Sequence, residues 1–411
     1  MKRILTALAG CALVCLAQAP AGEAQTETVL YSFCSVDHPE CTDGEYPTAA
    51  LINVHGDLYG TTTVGGPHGY GEVFSLDPAT NLEKIVYPFC SQKNGGKLCT
   101  DGESPQAGVI DVDGMLYGTT LYGGHSASLS GTVFSVNLKT GDETVLYSFS
   151  GKHYKGARYP DAGVIDLNGV LYGTTDSGGD RHEYGTVFSL DLKKDTEMVL
   201  DRFSARKKGG IFPEAGLIDI DGTLYGTTSE GGKYNGGTVF SIDPTTGAET
   251  VLHSFRGYPS DGAEPFAGLI NVKGRLYGST EYGGAYGVGT VFSVDPTSDA
   301  ENLLYSFQGY PSDGGEPVAG VINVKGMLYG TTQYGGSEDC SSYGEVVGCG
   351  TVFSLDPNTG VETMLYSFCA QQFCADGDYP MAALLNVNGT LYGTTKYGGA
   401  YGGGTVFSIV P

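Results

Sequence analysis

The chain of 411 residues contains no tryptophan, no long apolar run beyond its N-terminal segment, and few basic residues. Its 22 Lys and Arg stand against 46 Asp and Glu, a net charge of −24. Such an acidic surface repels phosphate backbones and anionic membranes, so we expect neither nucleic-acid binding nor membrane insertion. Helical periodicity, phosphate-cradling loops, catalytic serine turns and helical zinc pairs are also missing, which excludes the enzyme classes that those signatures mark.

The N-terminal segment has the composition of an export signal. Lys2 and Arg3 precede an apolar run, Ile4–Ala19, after which small residues follow. The run is too short for a membrane span. We therefore expect residues 1–24 to be a signal peptide and 25–411 to form a single domain, in a bacterial protein that is secreted, periplasmic or on the cell surface.

Cysteine placement agrees with export. Cys11 and Cys15 lie in the signal, and lipidation at Cys11 is the alternative to ordinary cleavage. The other eight fall into four close pairs, namely Cys34 with Cys41, Cys90 with Cys99, Cys340 with Cys349, and Cys369 with Cys374. None has the spacing of a zinc knuckle, so we predict four disulfides, each contributing roughly 2–3 kcal/mol by the chain-entropy estimate.

Internal repetition dominates the rest of the chain. A Leu-Tyr-Gly-Thr-Thr core, with one Ser variant, recurs at Tyr59, Tyr117, Tyr172, Tyr225, Tyr277, Tyr329 and Tyr392. A Gly-x-Val-Phe-Ser core recurs at Phe74, Phe134, Phe188, Phe240, Phe292, Phe353 and Phe407. A third element ends at Phe33, Phe89, Phe149, Phe203, Phe255, Phe307 and Phe368. Seven copies of one unit indicate a repeat architecture.

Each unit is predicted to form four short antiparallel strands. In the fifth, these are Phe266–Val272, Arg275–Thr280, Thr290–Val294 and Asn302–Phe307, with a tight turn at Lys273-Gly274 between the first two. Four-stranded units repeated seven times are typical of a β-propeller. We therefore predict an all-β, seven-bladed propeller of four-stranded antiparallel blades.

The two ends of the chain predict how the ring closes. After the signal, the chain begins with a fourth-strand element, Glu27–Phe33, and it ends with a third-strand element, Thr405–Val410. Pairing the N-terminal strand with the last unit completes a seventh blade and covers the sheet edges. The two classes of connection that vary in length carry all the cysteine pairs and emerge on one face, where function is expected.

The motifs also resemble those of a known family. Leu328-Tyr329-Gly330-Thr331-Thr332, followed by Tyr334-Gly335-Gly336 and by Gly350–Asp356, is similar to the GloVer tandem repeat of bacterial extracytoplasmic proteins. The similarity extends over essentially all of the mature chain. It implies a secreted or surface location and a repeat of unknown biochemical role, and it supplies no catalytic residues.

The most conspicuous polar pattern is acidic. Before the first strand, five units carry Asp-Gly, a second acid and Pro, with the acids Asp43 and Glu45, Asp101 and Glu103, Asp261 and Glu264, Asp313 and Glu316, and Asp376 and Asp378. The third and fourth units carry Lys155, Arg158 and Lys208 instead. One interpretation is a ring of carboxylates at the channel mouth that binds Ca²⁺ or a cationic ligand. The other is that Asp-Gly forms a turn in which the carboxylate accepts bonds from nearby amides.

Tyrosine and histidine supply the remaining candidates. Tyr258, Tyr310 and several further tyrosines lie in variable loops, where their rings suit sugar stacking or protein contact as well as packing. Five of the seven histidines lie in loops of the first three units, at positions 38, 68, 125, 153 and 182, without ligand spacing. We therefore expect no cofactor, except that Ca²⁺ would suit the carboxylate ring, and we leave a metal site undecided.

Three functions are compatible with these patterns. The expected one is a non-catalytic binding propeller that engages a glycan or a protein through its variable face. Its ligand candidates are Asp43, Asp101, Asp261, Glu264, Asp313, Glu316, Asp376, Tyr258 and Tyr310. The alternative is a polysaccharide hydrolase or lyase with acidic residues at the channel mouth. The third is a structural surface protein.

Overall fold

The computed structural model describes residues 25–94, 98–126, 128–150, 156–179, 181–194, 196–204, 209–342 and 344–411. The predicted signal peptide, Lys155, Lys208 and His153 lie outside these residues. Blade 1 comprises Ile52–Val54, Asp57–Thr62, Glu72–Asp77 and Leu82–Pro88. Blade 2 comprises Ile110–Val112, Met115–Thr120, Thr132–Asn137 and Glu143–Ser148. Blade 3 comprises Ile165–Asp166, Val170–Thr175, Thr186–Asp191 and Thr196–Arg202.

Blades 4 to 7 follow the same order. Blade 4 comprises Ile218–Ile220, Thr223–Thr228, Thr238–Ile242 and Glu249–Ser254. Blade 5 comprises Ile270–Val272, Arg275–Thr280, Thr290–Asp295 and Ala300–Ser306. Blade 6 comprises Ile322–Val324, Met327–Thr332, Thr351–Leu355 and Glu362–Ser367. Blade 7 comprises Leu385–Val387, Thr390–Thr395, Thr405–Ile409 and the N-terminal strand Glu27–Ser32.

The predicted architecture and its closure are confirmed. Each blade is an antiparallel four-stranded sheet, and in blade 7 the N-terminal strand pairs with the last strand of the chain, with Glu27 opposite Ile409 and Ser32 opposite Thr405. The first strand of blade 5 is shorter than predicted. In blade 5 the strand begins at Ile270 rather than Phe266, because the preceding segment packs against the neighbouring blade near the axis.

Pairs of two-residue strands form hydrogen bonds between the two classes of variable connection. They are Ala157–Arg158 with Ser177–Gly178, Gly210–Ile211 with Glu230–Gly231, Gly262–Ala263 with Tyr282–Gly283, and Gly314–Gly315 with Tyr334–Gly335. Each pair joins the segment that enters a blade to the loop after its second strand. Two further pairs lie within single connections, Lys93–Asn94 with Leu98–Cys99 and Ser341–Ser342 with Glu345–Val346. A 3₁₀ turn spans Gln372–Cys374. Both variable connections therefore lie on one face, as predicted.

The core lies between the blades and explains two of the repeated motifs. The phenylalanine after each fourth strand contacts the third-strand phenylalanine of the next blade edge-to-face, from Phe33–Phe74 around to Phe368–Phe407, with ring centroids 4.9–5.2 Å apart. Burial of each ring contributes about 1.5–3 kcal/mol. The glycine of the Leu-Tyr-Gly core lies under this third-strand ring: a Cβ on Gly60 would be 2.7 Å from the Phe74 ring.

Hydroxyl groups join the blades as well. The first Thr of each Leu-Tyr-Gly-Thr-Thr core donates to an alanine carbonyl of the next blade, as Thr119 does to Ala162 at 2.9 Å. Ser279, the variant, keeps the bond to Ala319 at 2.8 Å because only the hydroxyl is needed. In the closing blade Thr394 donates to Ala49 at 3.4 Å. The contact therefore runs around the whole ring.

Candidate active site at the channel mouth

Seven equivalent residues converge on a cavity of about 330 Å³, which we call the channel mouth. Each directly follows the proline that precedes a first strand, and together they are Thr48, Gln106, Asp161, Glu214, Phe266, Val318 and Met381. Because every blade contributes the same position, the cavity lies on the propeller axis. Glu281 and Gln333 complete its lining.

A sharp backbone turn places these residues. The residue before each proline has left-handed φ, between +53° and +60°, at positions 46, 104, 159, 212, 264, 316 and 379. Backbone bonds hold this conformation, which is otherwise costly for a side chain larger than glycine. Tyr159, for example, donates its N–H to Ser130 O at 2.8 Å and accepts from Asp176 N at 3.0 Å. The second bond joins the two segments that carry Asp161 and Asp176.

Four carboxylates occupy one side of the mouth. Asp161 and Glu214 follow the prolines of blades 3 and 4, while Asp176 and Glu281 directly follow the second strands of blades 3 and 5. At the positions equivalent to Asp176, the other blades place Thr63, Leu121, Ser229, Gln333 and Lys396. The negative charge is therefore concentrated in blades 3 to 5.

Burial and mutual repulsion raise the pKa values of these groups to different levels. Burial and then Asp176 raise the pKa of Asp161 to about 6. Burial, Asp176 and Asp161 raise the pKa of Glu214 to about 8. Burial, together with Glu316 and Glu264, raises the pKa of Glu281 to about 7. At neutral pH an ionised and a protonated carboxyl group therefore face the same cavity.

One oxygen of this cluster lacks a partner. Asp161 Oδ1 is buried and has no hydrogen-bond partner among the described residues. Glu214 accepts one long bond, 3.5 Å from Ser229 Oγ, and Asp176 accepts from Ser177 Oγ at 2.8 Å. Carboxyl groups this poorly satisfied remain available to a ligand that enters the mouth.

Tyrosine rings flank the mouth on two sides. Tyr122 and Tyr159 meet edge-to-face, 5.6 Å apart, in a cavity of about 280 Å³ that Asp161, Asp176 and Glu214 also line. Opposite, four rings form a continuous row, Tyr46–Tyr397–Tyr379–Tyr334, with centroids 5.1–5.6 Å apart. We call these four the tyrosine row, and three of them line a cavity of about 510 Å³ with Gln333, Met381 and Lys396.

The five aspartates that the sequence singled out occupy a different place. Asp43, Asp101, Asp261, Asp313 and Asp376 are all buried, with at most 5 % of each exposed. Each carboxylate caps the chain as it leaves the preceding blade. Asp376, for example, accepts from Tyr366 OH at 2.8 Å and from Ala370 N at 2.9 Å. Binding of a ligand at the channel mouth by these aspartates stays a prediction, and their burial gives it no support.

The other four predicted residues lie on the same face, at different distances from the mouth. Glu264 and Glu316 are half-buried and close enough to Glu281 to raise its pKa. Tyr258 is 68 % exposed. The hydroxyl of Tyr310 donates to Asp339 in the long loop of blade 6. Glu264 and Glu316 thus accompany the acidic side of the mouth, whereas the two tyrosines lie apart from it.

The four carboxylates at the mouth escaped the sequence analysis. The pattern of Asp-Gly followed by a second acid occurs in five units and is missing from blades 3 and 4. The corresponding segments of those two blades carry basic residues, and in blade 3 Arg158 pairs with Glu183. The repeat itself contained a signal that could have identified the residues at the mouth. The residue after each proline differs in all seven units while its neighbours stay constant, and it is acidic in blades 3 and 4.

The cysteine pairing is confirmed. Disulfides join Cys34–Cys41, Cys90–Cys99, Cys340–Cys349 and Cys369–Cys374. They are typical of an oxidising compartment outside the cytoplasm. Among the residues that the structure describes, none forms a helix both long and apolar enough to cross a membrane.

Fold and site together define a disulfide-bonded, seven-bladed propeller with a one-sided acidic channel mouth. The chain belongs to the Gloeobacter/Verrucomicrobia repeat family, whose model matches residues 94–288 and 259–411. The predicted family resemblance is thereby confirmed. No curated protein sequence matches the chain.

Three of the solved structures that resemble this fold are enzymes. An oligogalacturonate lyase in complex with manganese has a TM-score of 0.54 at 12 % identity, over 95 % of this chain and 94 % of that chain. An oligogalacturonate lyase from Vibrio parahaemolyticus has a TM-score of 0.53 at 9 % identity, with the same coverage. A puromycin hydrolase has a TM-score of 0.50 at 13 % identity, over 86 % of this chain and 50 % of that one.

These structures correct the expected function. A non-catalytic binding propeller was the primary expectation, and it is contradicted by three similar propellers, of which two are lyases and one is a hydrolase. At 9–13 % identity the likeness itself establishes the fold alone. The alternative, an enzyme with acidic residues at the channel mouth, is the better-supported one.

Proposed function

We propose that this chain is an extracytoplasmic enzyme that hydrolyses glycosidic bonds of a neutral polysaccharide at the channel mouth. The observation that carries the proposal is the set of carboxyl groups in one cavity whose pKa values are separated, about 6 for Asp161 and about 8 for Glu214. Such a pair of groups at different protonation states is the arrangement that acid–base catalysis at neutral pH requires.

The protonation states assign the roles. Glu214, protonated at pH 7, is the general acid, and it gives its proton to the leaving glycosidic oxygen as the bond to the anomeric carbon breaks. Asp161, ionised, is the general base, and it takes a proton from the water whose oxygen bonds to that carbon. Glycoside hydrolysis needs one protonated and one ionised carboxyl group at the scissile bond, and it needs no cofactor.

Charge and aromatic surface support the substrate class. The acidic cluster repels uronate chains, because bringing a substrate carboxylate beside Asp161, Asp176 and Glu281 costs free energy. Neutral sugar rings stack on tyrosine faces, and Tyr122 and Tyr159 lie next to the carboxylates. A neutral glycan, rather than a nucleic acid or a membrane, is therefore the proposed partner of the secreted or cell-surface protein.

The experiment is an assay of new reducing ends with a panel of neutral and uronate polysaccharides. We expect release from a neutral glycan, and we expect Glu214→Gln and Asp161→Asn to lower kcat by about 10²–10⁴-fold. Gln333→Ala, at the same mouth but outside the acidic cluster, is the matched control and keeps its activity within a few fold.

Two outcomes would contradict the proposal. If only uronate polysaccharides were cleaved, and their products absorbed ultraviolet light because of a new carbon–carbon double bond, the reaction would be elimination rather than hydrolysis. Equal loss of activity in Gln333→Ala and Glu214→Gln would mean that the mouth binds the chain without the assigned acid. Folding of each variant is checked by circular dichroism before activities are compared.

A further inference from the structure

Several of the blade interfaces contain a partly buried polar latch of three side chains. At four of them the tyrosine hydroxyl of a fourth strand donates to the aspartate of the connection that follows, at 2.8–2.9 Å, in the pairs Tyr31–Asp43, Tyr87–Asp101, Tyr305–Asp313 and Tyr366–Asp376. The third member is the glutamate at the first or second position of the fourth strand of the next blade, such as Glu362 beside Asp313. Each latch therefore links two neighbouring blades.

The latch between blades 4 and 5 differs from these four. His253 replaces the tyrosine, and its Nε2 lies 3.2 Å from Asp261 Oδ2. The third member is Glu301, whose Oε1 is buried and has no hydrogen-bond partner among the described residues. One ligand atom of each of the three residues lies within 4.8 Å of the other two. A tyrosine hydroxyl is a poor ligand for a divalent metal, whereas a neutral imidazole is a common one.

The separation of His253 and Asp261 matches that of two ligands in tetrahedral zinc coordination. Zn–N and Zn–O bonds of about 2.0–2.2 Å put neighbouring ligand atoms roughly 3.3 Å apart in a tetrahedron, close to the observed separation of His253 and Asp261. Two carboxylates and a neutral imidazole carry a charge of −2, which a divalent cation neutralises. His253 is 16 % exposed, so water can reach the site and supply a fourth ligand.

The surroundings orient the ligands. Arg256 N donates to Asp261 Oδ2 at 2.9 Å and Gly262 N donates to Oδ1 at 2.8 Å, which fixes the carboxylate. Burial and then Asp261 raise the pKa of Glu301, and the Arg256 guanidinium, the competing positive charge, offsets part of that rise. The guanidinium carbon of Arg256 also lies 5.1 Å from the ring centroid of Tyr234. The guanidinium therefore has a cation–π partner other than the three proposed ligands.

We propose that His253, Asp261 and Glu301 form a zinc site that replaces the tyrosine latch between blades 4 and 5. The metal joins the fourth strands of two blades through the connection between them. It is a structural site, separate from the channel mouth, and it does not depend on the proposed catalytic function.

The test uses Zn²⁺ itself, added to the full-length mature protein after removal of metals by a chelator. Bound zinc is counted by elemental analysis after dialysis, and thermal unfolding is followed against free Zn²⁺. His253→Tyr is the matched control, because it restores the side chain of the other latches and should fold. We expect the wild type to retain one Zn²⁺ more than His253→Tyr, and its Tm to rise with Zn²⁺ through this site.

Two further variants sharpen the test. Glu301→Gln keeps the shape of the side chain and removes a ligand, so it should retain less zinc than the wild type. Tyr305→His places an imidazole beside Asp313 and Glu362 in the next latch, and it should add a second equivalent. Equal zinc retention by the wild type, His253→Tyr and Glu301→Gln would overturn the proposal, since zinc would then bind elsewhere or not at all.

Discussion

At the residue scale, Glu72 occupies a position that the other blades give to threonine. In those six blades the threonine that begins the third strand lies 2.7–2.8 Å, oxygen to oxygen, from the threonine that ends the second. Glu72 is fully buried, and neither its carboxyl oxygens nor Thr62 Oγ1 has a partner among the described residues. Burial, then Glu83 and Asp43, raises the pKa of Glu72 well above its usual range.

Glu72→Thr should therefore stabilise the protein. The substitution restores the hydroxyl pair and removes an unsatisfied buried carboxyl, a gain of about 1–3 kcal/mol in the free energy of unfolding. Denaturant unfolding at pH 7 measures it. Thr132→Glu, the reverse change in blade 2, should lower stability. An unchanged midpoint for Glu72→Thr would mean that the carboxyl group is already satisfied.

The pH dependence of the proposed activity is also decided by single residues. Asp161 must be ionised and Glu214 protonated, so kcat/KM should rise with pH through about 6 and fall through about 8. Gln106→Glu adds a negative charge to the cavity that Asp161 lines and should move the acidic limb to higher pH. If the acidic limb of the kcat/KM profile stayed at the same pH in this variant, Asp161 would be excluded as the group that produces that limb.

At the scale of the elements, every fourth strand has a glutamate as its first or second residue, at a blade interface. For six of the seven the pKa is raised, with burial as the largest cause. In Glu362, burial and then Asp313 raise the pKa from 4.5 to about 8. The folded chain therefore holds a proton there between those two pH values, while the unfolded chain has lost it.

This difference predicts the sign of a pH effect. Unfolding releases the proton between about pH 4.5 and 8, so the free energy of unfolding falls as pH rises through that range. Glu362→Gln, which stays neutral, should match the wild type near pH 4 and have the higher Tm at pH 8 to 9. Asp57→Asn, at an exposed position where a strand begins, is the control and should leave the profile unchanged. A Glu362→Gln difference that is constant with pH would contradict this account.

At the scale of the whole molecule, stability depends on closure by the N-terminal strand. That strand supplies all the pairing on the outer edge of the last strand, and Phe33 supplies the contact with Phe74 of blade 1. Without it, blade 7 presents an open edge and the ring of phenylalanine contacts is broken.

Removal of residues 25–33 should therefore lower the unfolding midpoint and cause self-association, measured by denaturant titration and size-exclusion chromatography. A synthetic peptide of residues 25–33, added in trans, should restore both properties because it re-forms the missing strand. A scrambled peptide is the control. A truncated chain that stays monomeric with an unchanged midpoint would show that closure contributes little.

Much of this molecule follows from its sequence alone. The Leu-Tyr-Gly-Thr-Thr and Val-Phe-Ser cores repeat at fixed spacing, and local hydrogen bonding and alternation then determine four strands per unit, seven units, closure by the N-terminal strand and the cysteine pairs. These properties are local or periodic, so the order of residues encodes them directly. The predicted first strand of blade 5 was too long because crowding near the axis is not a local property.

The channel mouth was decided by the tertiary structure. Asp161, Asp176, Glu214 and Glu281 come from three blades, and only the circular arrangement of those blades brings them to one cavity. The same applies to His253 and Glu301, which lie 48 positions apart in the sequence and meet across an interface. Conversely, Asp43 and its four equivalents form an obvious pattern in the sequence, but in the fold they are buried and accept hydrogen bonds from the chain that leaves the preceding blade. Which acids face solvent depends on how repeats pack against each other, and that information is absent from any single repeat.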